Sequence, residues 1–161
     1  MLPQVACSTV TAFPSVVLGR PEDGEVLELP FGVFTVRISA EQTGGQLSVV
    51  ESVLEPGAVG AAPHVHHGHE EYFLITAGEV TFDLESSVET VGMGGAVAVP
   101  RGRPHGFRNA GSEPARILGL FTPGGYENYF REVAAVAASG GEVTPSLLAE
   151  LRAKEQTTAW P

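Results

Sequence analysis

Hydrophobic and polar positions alternate in short runs over most of the chain. In 33–38, Val33, Thr35 and Arg37 oppose Phe34, Val36 and Ile38, a period of two that gives a strand two distinct faces. Comparable runs are expected as strands at 26–29, 46–54, 64–66, 71–76, 79–84, 96–99, 106–108 and 115–121. Gly44-Gly45, Pro56-Gly57 and Gly78 punctuate them. Many short strands with glycine and proline between them predict a sandwich or barrel. The period changes after Pro123-Gly124-Gly125. Tyr126, Tyr129, Phe130, Val133 and Val136 recur at helical spacing and predict a helix over 126–138, stopped by Gly140-Gly141. A second helix is predicted over 145–154, with Thr144 as its N-cap, Pro145 in its first turn and Leu147, Leu148 and Leu151 on one face. Both helices are expected to pack outside the barrel or cover its mouth. The tail after Lys154 is expected to fray.

Composition narrows this picture. The 161 residues fit one domain, 1–161, with a barrel core at about 25–122. Apolar residues make up 43%, enough for a core without disulfides, and Cys7 has no second cysteine to pair with or to share a zinc cluster. Nineteen acids against nine bases give a net charge of −10, so neither nucleic acid nor an anionic membrane is an expected partner. Residues 1–18 lack a basic start and are interrupted by Pro3 and Pro14, which does not read as a signal peptide. No stretch approaches the ~18 continuous apolar residues of a membrane span. A cytoplasmic location is expected.

The chemistry concentrates in Pro63-His64-Val65-His66-His67-Gly68-His69-Glu70-Glu71, which holds four of the five histidines. On a strand, His64 and His66 face the same side and aim two imidazoles into one space. Neutral imidazole is a common metal ligand, and a nearby carboxylate adds charge and a hard oxygen. Strand parity leaves Glu70 and Glu71 both open, because Tyr72, Phe73, Leu74 and Ile75 are all apolar. His67 points away from His66 and is expected to be exposed, and His69 is expected to be a partly exposed loop residue. A second segment reads G-x5-P-x-G-x2-H-x3-N through Gly94, Pro100, Gly102, His105 and Asn109. Pro100 and Gly102 make a turn after which a returning strand can deliver His105 beside the first pair. Asn109 reads as a strand-end residue. Ser15, Ser39 and Ser112 have no acid–base partners at recognisable spacing, so a serine nucleophile has no support.

Together the two segments resemble the paired motifs of the cupin superfamily. The first motif, H-x-H-x4-E-x6-G, is filled by His64, His66, Glu71 and Gly78, and its spacing to Gly78 selects Glu71 over Glu70. Gly57 lies seven positions before His64 where the family usually has six. The second motif matches at every fixed position. The resemblance spans about a third of the chain. It implies an all-β, double-stranded β-helix (a cupin or jelly-roll barrel) followed by two C-terminal α-helices. It further implies one divalent transition metal ion, Fe, Mn, Ni, Co, Cu or Zn, held by His64, His66, Glu71 and His105.

Among cupins, the run 64–71, the phrase Val99-Pro100-Arg101-Gly102-Arg103-Pro104-His105 and the ending Phe121-Thr122-Pro123-Gly124-Gly125-Tyr126 resemble small quercetinase-like proteins. That resemblance implies a dioxygenase acting on a flavonol or related aromatic enol and O2. Glu71 would be the catalytic proton acceptor, and the ring would open with loss of carbon monoxide. Phe73, Phe107 and Phe121 are candidate walls of the substrate pocket. A metal-dependent cyclase or isomerase of a polyketide-like enol, and a non-catalytic metal- or ligand-binding cupin, are the alternatives. A homodimer is expected, with residues 16–29 available to supply an exchanged strand.

Overall fold

The computed structural model describes residues 15–161, and the expectations for residues 1–14, with Cys7, lie outside the described residues. The strands are β1 (Glu25–Leu29), β2 (Gly32–Ile38), β3 (Ser48–Leu54), β4 (Val59–His66), β5 (Glu70–Ala77), β6 (Glu79–Leu84), β7 (Val88–Gly92), β8 (Ala96–Val99), β9 (His105–Arg108), β10 (Ala115–Thr122) and β11 (Thr157–Ala159). Helices α1 (Glu127–Ala138) and α2 (Pro145–Lys154) lie between β10 and β11, and a single 3-10 turn spans Glu41–Thr43. The strands form a six-stranded sheet in the order β1-β2-β3-β10-β5-β8 and a five-stranded sheet in the order β11-β4-β9-β6-β7. Every pairing is antiparallel. This is the double-stranded β-helix with two C-terminal helices that the sequence leads one to expect.

Alternation explains why the sheets close on one another. Along β3 every second residue is buried, and β10 repeats the pattern from Ala115 to Phe121. One core cluster joins Leu54, Phe73, Ile75, Ala115 and Ile117 from the larger sheet to Val80, Phe82 and Phe107 from the smaller. A second cluster joins Phe34, Val50 and Phe121 to Tyr126, Tyr129, Phe130 and Val133 of the α1 region and Leu151 of α2. The apolar stripe of α1 therefore closes one end of the barrel. Thr144 caps α2 by accepting a hydrogen bond from the Leu147 amide. The tight β5–β6 connection turns on Gly78 at φ 66°, where an added Cβ would stand 2.7 Å from the Pro114 carbonyl oxygen.

Two elements depart from the sequence reading. Residues 88–92 are strand β7, an edge strand whose residues are mostly exposed and so carry little hydrophobic signal. The tail does not fray. Strand β11 pairs with β4, with Thr157 opposite His66 and Ala159 opposite His64, and the Trp160 amide donates to the Pro63 carbonyl. Backbone pairing to a strand over ninety residues away holds this segment, and its polar side chains give no sign of it.

Candidate metal centre

Strand β4 carries His64 and His66 with one residue between them, so both imidazoles leave the same face. Strand β9 lies beside it in register, with His64 opposite His105. Glu71 comes from β5 of the other sheet, where it pairs with Val99 and Phe121. All four side chains are buried, and one ligand atom from each lies within 4.8 Å of the others. That span is close to twice the ~2.0–2.2 Å of a bond from imidazole nitrogen or carboxylate oxygen to a metal such as zinc.

Hydrogen bonds on the far side of each ring fix which nitrogen faces inward. His64 Nδ1 donates to the Ala62 carbonyl at 2.8 Å, and His105 Nδ1 to the Arg103 carbonyl at 3.3 Å. A carbonyl only accepts, so each ring in its neutral form carries its lone pair on Nε2. The Thr157 hydroxyl donates to the Glu155 carbonyl, which leaves its oxygen to accept from His66 Nδ1 at 2.6 Å. With all three rings in the neutral tautomer that these bonds favour, three Nε2 lone pairs and a carboxylate converge on one space. His64 Nε2 stands 2.8 Å from His66 Nε2, and His105 Nε2 stands 2.6 Å from Glu71 Oε2. Contacts this short between ring nitrogens and a carboxylate need a cation among them, a proton or a metal ion. The donor set therefore fits a divalent ion.

Electrostatics point the same way. Burial first, then the facing His105 and His66, lowers the His64 pKa to about 3, so this ring is neutral at pH 7. Burial also lowers His66. Burial alone would raise Glu71, but positive charge at His66 and hydrogen bonds donated by His105 and His66 hold it well below the usual carboxylate range in the metal-free cluster. Imidazoles that ligate a metal are neutral, so three of them with one carboxylate would carry a net charge of −1, which a divalent ion more than offsets.

The structure resolves the Glu70–Glu71 ambiguity. Glu70 lies on the outer side and pairs with Arg101 at 2.7 Å, whereas Glu71 is buried in the cluster. His67 is exposed and shares a hydrogen bond with Thr158. Asn109 is structural: its amide donates to the Leu54 and Glu113 carbonyls. His69 departs from expectation. It is buried, its ring centroid lies 4.2 Å from that of His66, and its Nε2 is 3.8 Å from Glu71 Oε1 with no hydrogen-bond partner. Tyr126, at the start of α1, packs edge-on against His66 at 4.7 Å. Thr157 and Tyr126 were not recognisable as neighbours of the cluster, since both lie far from it in sequence.

His64 and Glu71 also line a narrow cavity, with about 40 Å³ open to the centres of water molecules. Phe73, Phe107 and Phe121 line it with them, as do Phe34 and Tyr126. Gly60 admits the Phe107 ring to this wall, because a Cβ there would meet the ring at 2.2 Å. All three expected phenylalanines thus belong to the core and to the cavity at once.

Comparison with known proteins places this geometry. A family model described as a cupin domain matches residues 50–121. Protein SchB of Streptomyces halstedii is 29% identical over 109 residues, 68% of this chain and 73% of that protein. The structure of KdgF from Halomonas sp. superposes with a TM-score of 0.61 at 18% identity, over 70% of this chain and 99% of KdgF. The polyketide cyclase RemF from Streptomyces resistomycificus superposes with a TM-score of 0.58 at 21% identity, over 68% of this chain and 80% of RemF. At these identities the two structures establish a shared fold.

Proposed function

Because a cupin-domain model matches residues 50–121, we propose that this chain is a cupin and a metal-dependent enzyme acting on an aromatic enol or phenol, with His64, His66, Glu71 and His105 as the ligands. The supporting observation is that one cavity joins His64 and Glu71 to a wall of aromatic side chains. A bound divalent transition ion would supply Lewis acidity toward a substrate oxygen and, in an oxygenase, a meeting place with O2. Phe73, Phe107 and Phe121 then offer faces and edges to a flat substrate and exclude water around it. A substrate with several rings is larger than the free space and enters by displacing wall side chains. Glu71 is ionised throughout the neutral range and is the proposed proton acceptor, effective only toward a substrate hydroxyl made unusually acidic.

The first reading of the reaction is quercetinase-like. Both atoms of O2 enter the product while a ring carbon leaves as carbon monoxide. The motif text at 64–71, 99–105 and 121–126 supports it. The second reading, cyclisation or isomerisation of a polyketide-like enol without O2, draws on the fold shared with a polyketide cyclase. The test is oxygen consumption on adding quercetin to protein reconstituted separately with Fe, Mn, Ni and Co. The dioxygenase reading predicts one O2 taken up and one carbon monoxide released per turnover. Turnover of an enol under strict anaerobiosis supports the cyclase instead, and tight binding without turnover across an enol panel supports a non-catalytic binding cupin.

A homodimer also belongs to the proposal. Strand β1 is paired with β2 of its own chain, so an apolar sheet face is the better candidate contact. On the outer face of the larger sheet, Val26, Val33, Tyr72 and Leu74 are all more than 40% exposed. Solution scattering is expected to return a dimer mass, and a monomer mass at micromolar concentration contradicts it. Among the described residues, no helix is long and apolar enough to cross a membrane.

A further inference from the structure

The cavity that His64 and Glu71 line has a second polar element, contributed by the C-terminal helices. Tyr129 on α1 and Arg152 on α2 both line it, in a wall otherwise made largely of aromatic and aliphatic side chains. Tyr129 is 3% exposed, and its hydroxyl makes no close hydrogen bond but faces the Arg152 guanidinium, which opposes the upward push of burial on its pKa. Buried hydroxyls are nearly always satisfied, so a hydroxyl with no close bond, next to a guanidinium on a cavity wall, has room for an acceptor shared by both. The Arg152 guanidinium carbon stands 5.6 Å from the Tyr129 ring centroid, within cation–π range.

Arg152 is unusual in its charge environment. Arg20, Arg37, Arg101, Arg103, Arg108, Arg116, Arg131 and Lys154 each pair with a carboxylate. Among the described residues Arg152 alone of the Lys and Arg side chains has no such partner, in a chain with nineteen acids. A half-buried guanidinium with no carboxylate partner beside a cavity offers donors to an anion that enters. It is also linked to the ligand cluster by ring contacts. His66 packs on Tyr126 at 4.7 Å, and Tyr126 stacks on Tyr129 at 5.4 Å.

We infer that Arg152 and the Tyr129 hydroxyl form an oxyanion-recognition subsite for a second acidic oxygen of the ligand, a carboxylate or an acidic phenol, remote from the oxygen that the histidine cluster addresses. The inference rests on the reading that this cavity receives the substrate. It narrows the substrate class to aromatics that carry acidic groups at two separated positions. Arg152 is a specificity residue and takes no part in bond making.

The test uses the metal-free protein, so that no ion competes for the anion, with 2-naphthoate and its neutral near-isostere 2-naphthamide as probes. Titration calorimetry is expected to show wild type preferring 2-naphthoate by about ten- to a hundredfold, the range of a charged hydrogen bond. Arg152→Met should abolish the preference and leave 2-naphthamide affinity unchanged, Arg152→Lys should keep part of it, and Tyr129→Phe should reduce it severalfold. Absence of a preference in wild type, or a preference that survives Arg152→Met, overturns the subsite. If Arg152→Met weakens both probes equally, the lysine variant decides: a restored preference supports the subsite, and the same equal loss overturns it. A probe preference in a protein that turns over no enol leaves the subsite standing and removes only the enzymatic reading.

Discussion

The Thr157 hydroxyl accepts a hydrogen bond from His66 Nδ1 at 2.6 Å, tying the C-terminal strand to the ligand cluster. This bond fixes the tautomer that turns the His66 Nε2 lone pair inward, and outer partners of that kind set both ring orientation and ligand basicity.

Thr157→Val keeps the shape of the side chain and removes the acceptor. Metal affinity is expected to fall about ten- to a hundredfold, and the metal-free protein to lose about 1–3 kcal/mol because the buried His66 N–H is left unpaired. Competition titration against a chelator of known affinity measures the first quantity. Unchanged affinity would show that the ring is oriented by packing alone.

His69 is buried against His66 and Glu71 but stands outside the convergent set. His69→Gln should therefore still bind one equivalent of metal, with affinity within about tenfold of wild type, the lower end of what an outer partner contributes. Loss of the ion, measured by elemental analysis, would place His69 among the ligands.

Acid should destabilise the metal-free protein before it protonates the cluster. In the unfolded chain His64 takes up a proton as pH falls below 6.5, but in the folded chain it resists down to about 3. The unfolded state therefore binds more protons across this window, and stability falls as pH falls through it. Glu71, lowered by folding, adds a loss of the same sign as pH falls below its ordinary 4.5. The urea midpoint should drop between pH 7 and pH 4.5, and His64→Leu should flatten that drop. A wild-type profile that is flat over this range contradicts the assignment of a buried neutral imidazole.

How much of this was legible in the sequence differs from residue to residue. The His64–His66 pair was readable because strand parity is a local rule, and the turn at Pro100 and Gly102 located the start of the strand that brings His105 back. Parity could not separate Glu70 from Glu71, because both faces of 72–75 are apolar. The register against β8 and β10 makes the choice. The burial of His69 was missed because no local period governs the Gly68-His69 bend between two strands. Thr157, Tyr129 and Arg152 were missed for another reason. Helical spacing marks an apolar face, yet it does not say which wall that face completes, and the β11–β4 pairing joins segments ninety-one positions apart.

Asn109 supports the fold and not the ion. Its buried amide satisfies the Leu54 and Glu113 carbonyls, and its oxygen accepts from the Gly111 amide. Asn109→Ala should cost about 2–4 kcal/mol in urea denaturation, from lost bonds and carbonyls left unpaired. The folded variant should retain wild-type metal affinity. A cost below about 0.5 kcal/mol would mean that water replaces the amide at no penalty.

The central claim is that four side chains from two sheets share one ion, and direct metal analysis tests it. Protein purified without chelators or nickel resin, and each of His64→Ala, His66→Ala, Glu71→Ala and His105→Ala prepared the same way, would be assayed by plasma mass spectrometry alongside circular dichroism. One divalent transition ion per wild-type chain, with a marked loss of the ion in each folded variant, is the expected result. A wild-type protein that takes up no transition metal on reconstitution, or folded variants that all keep the ion, would contradict it.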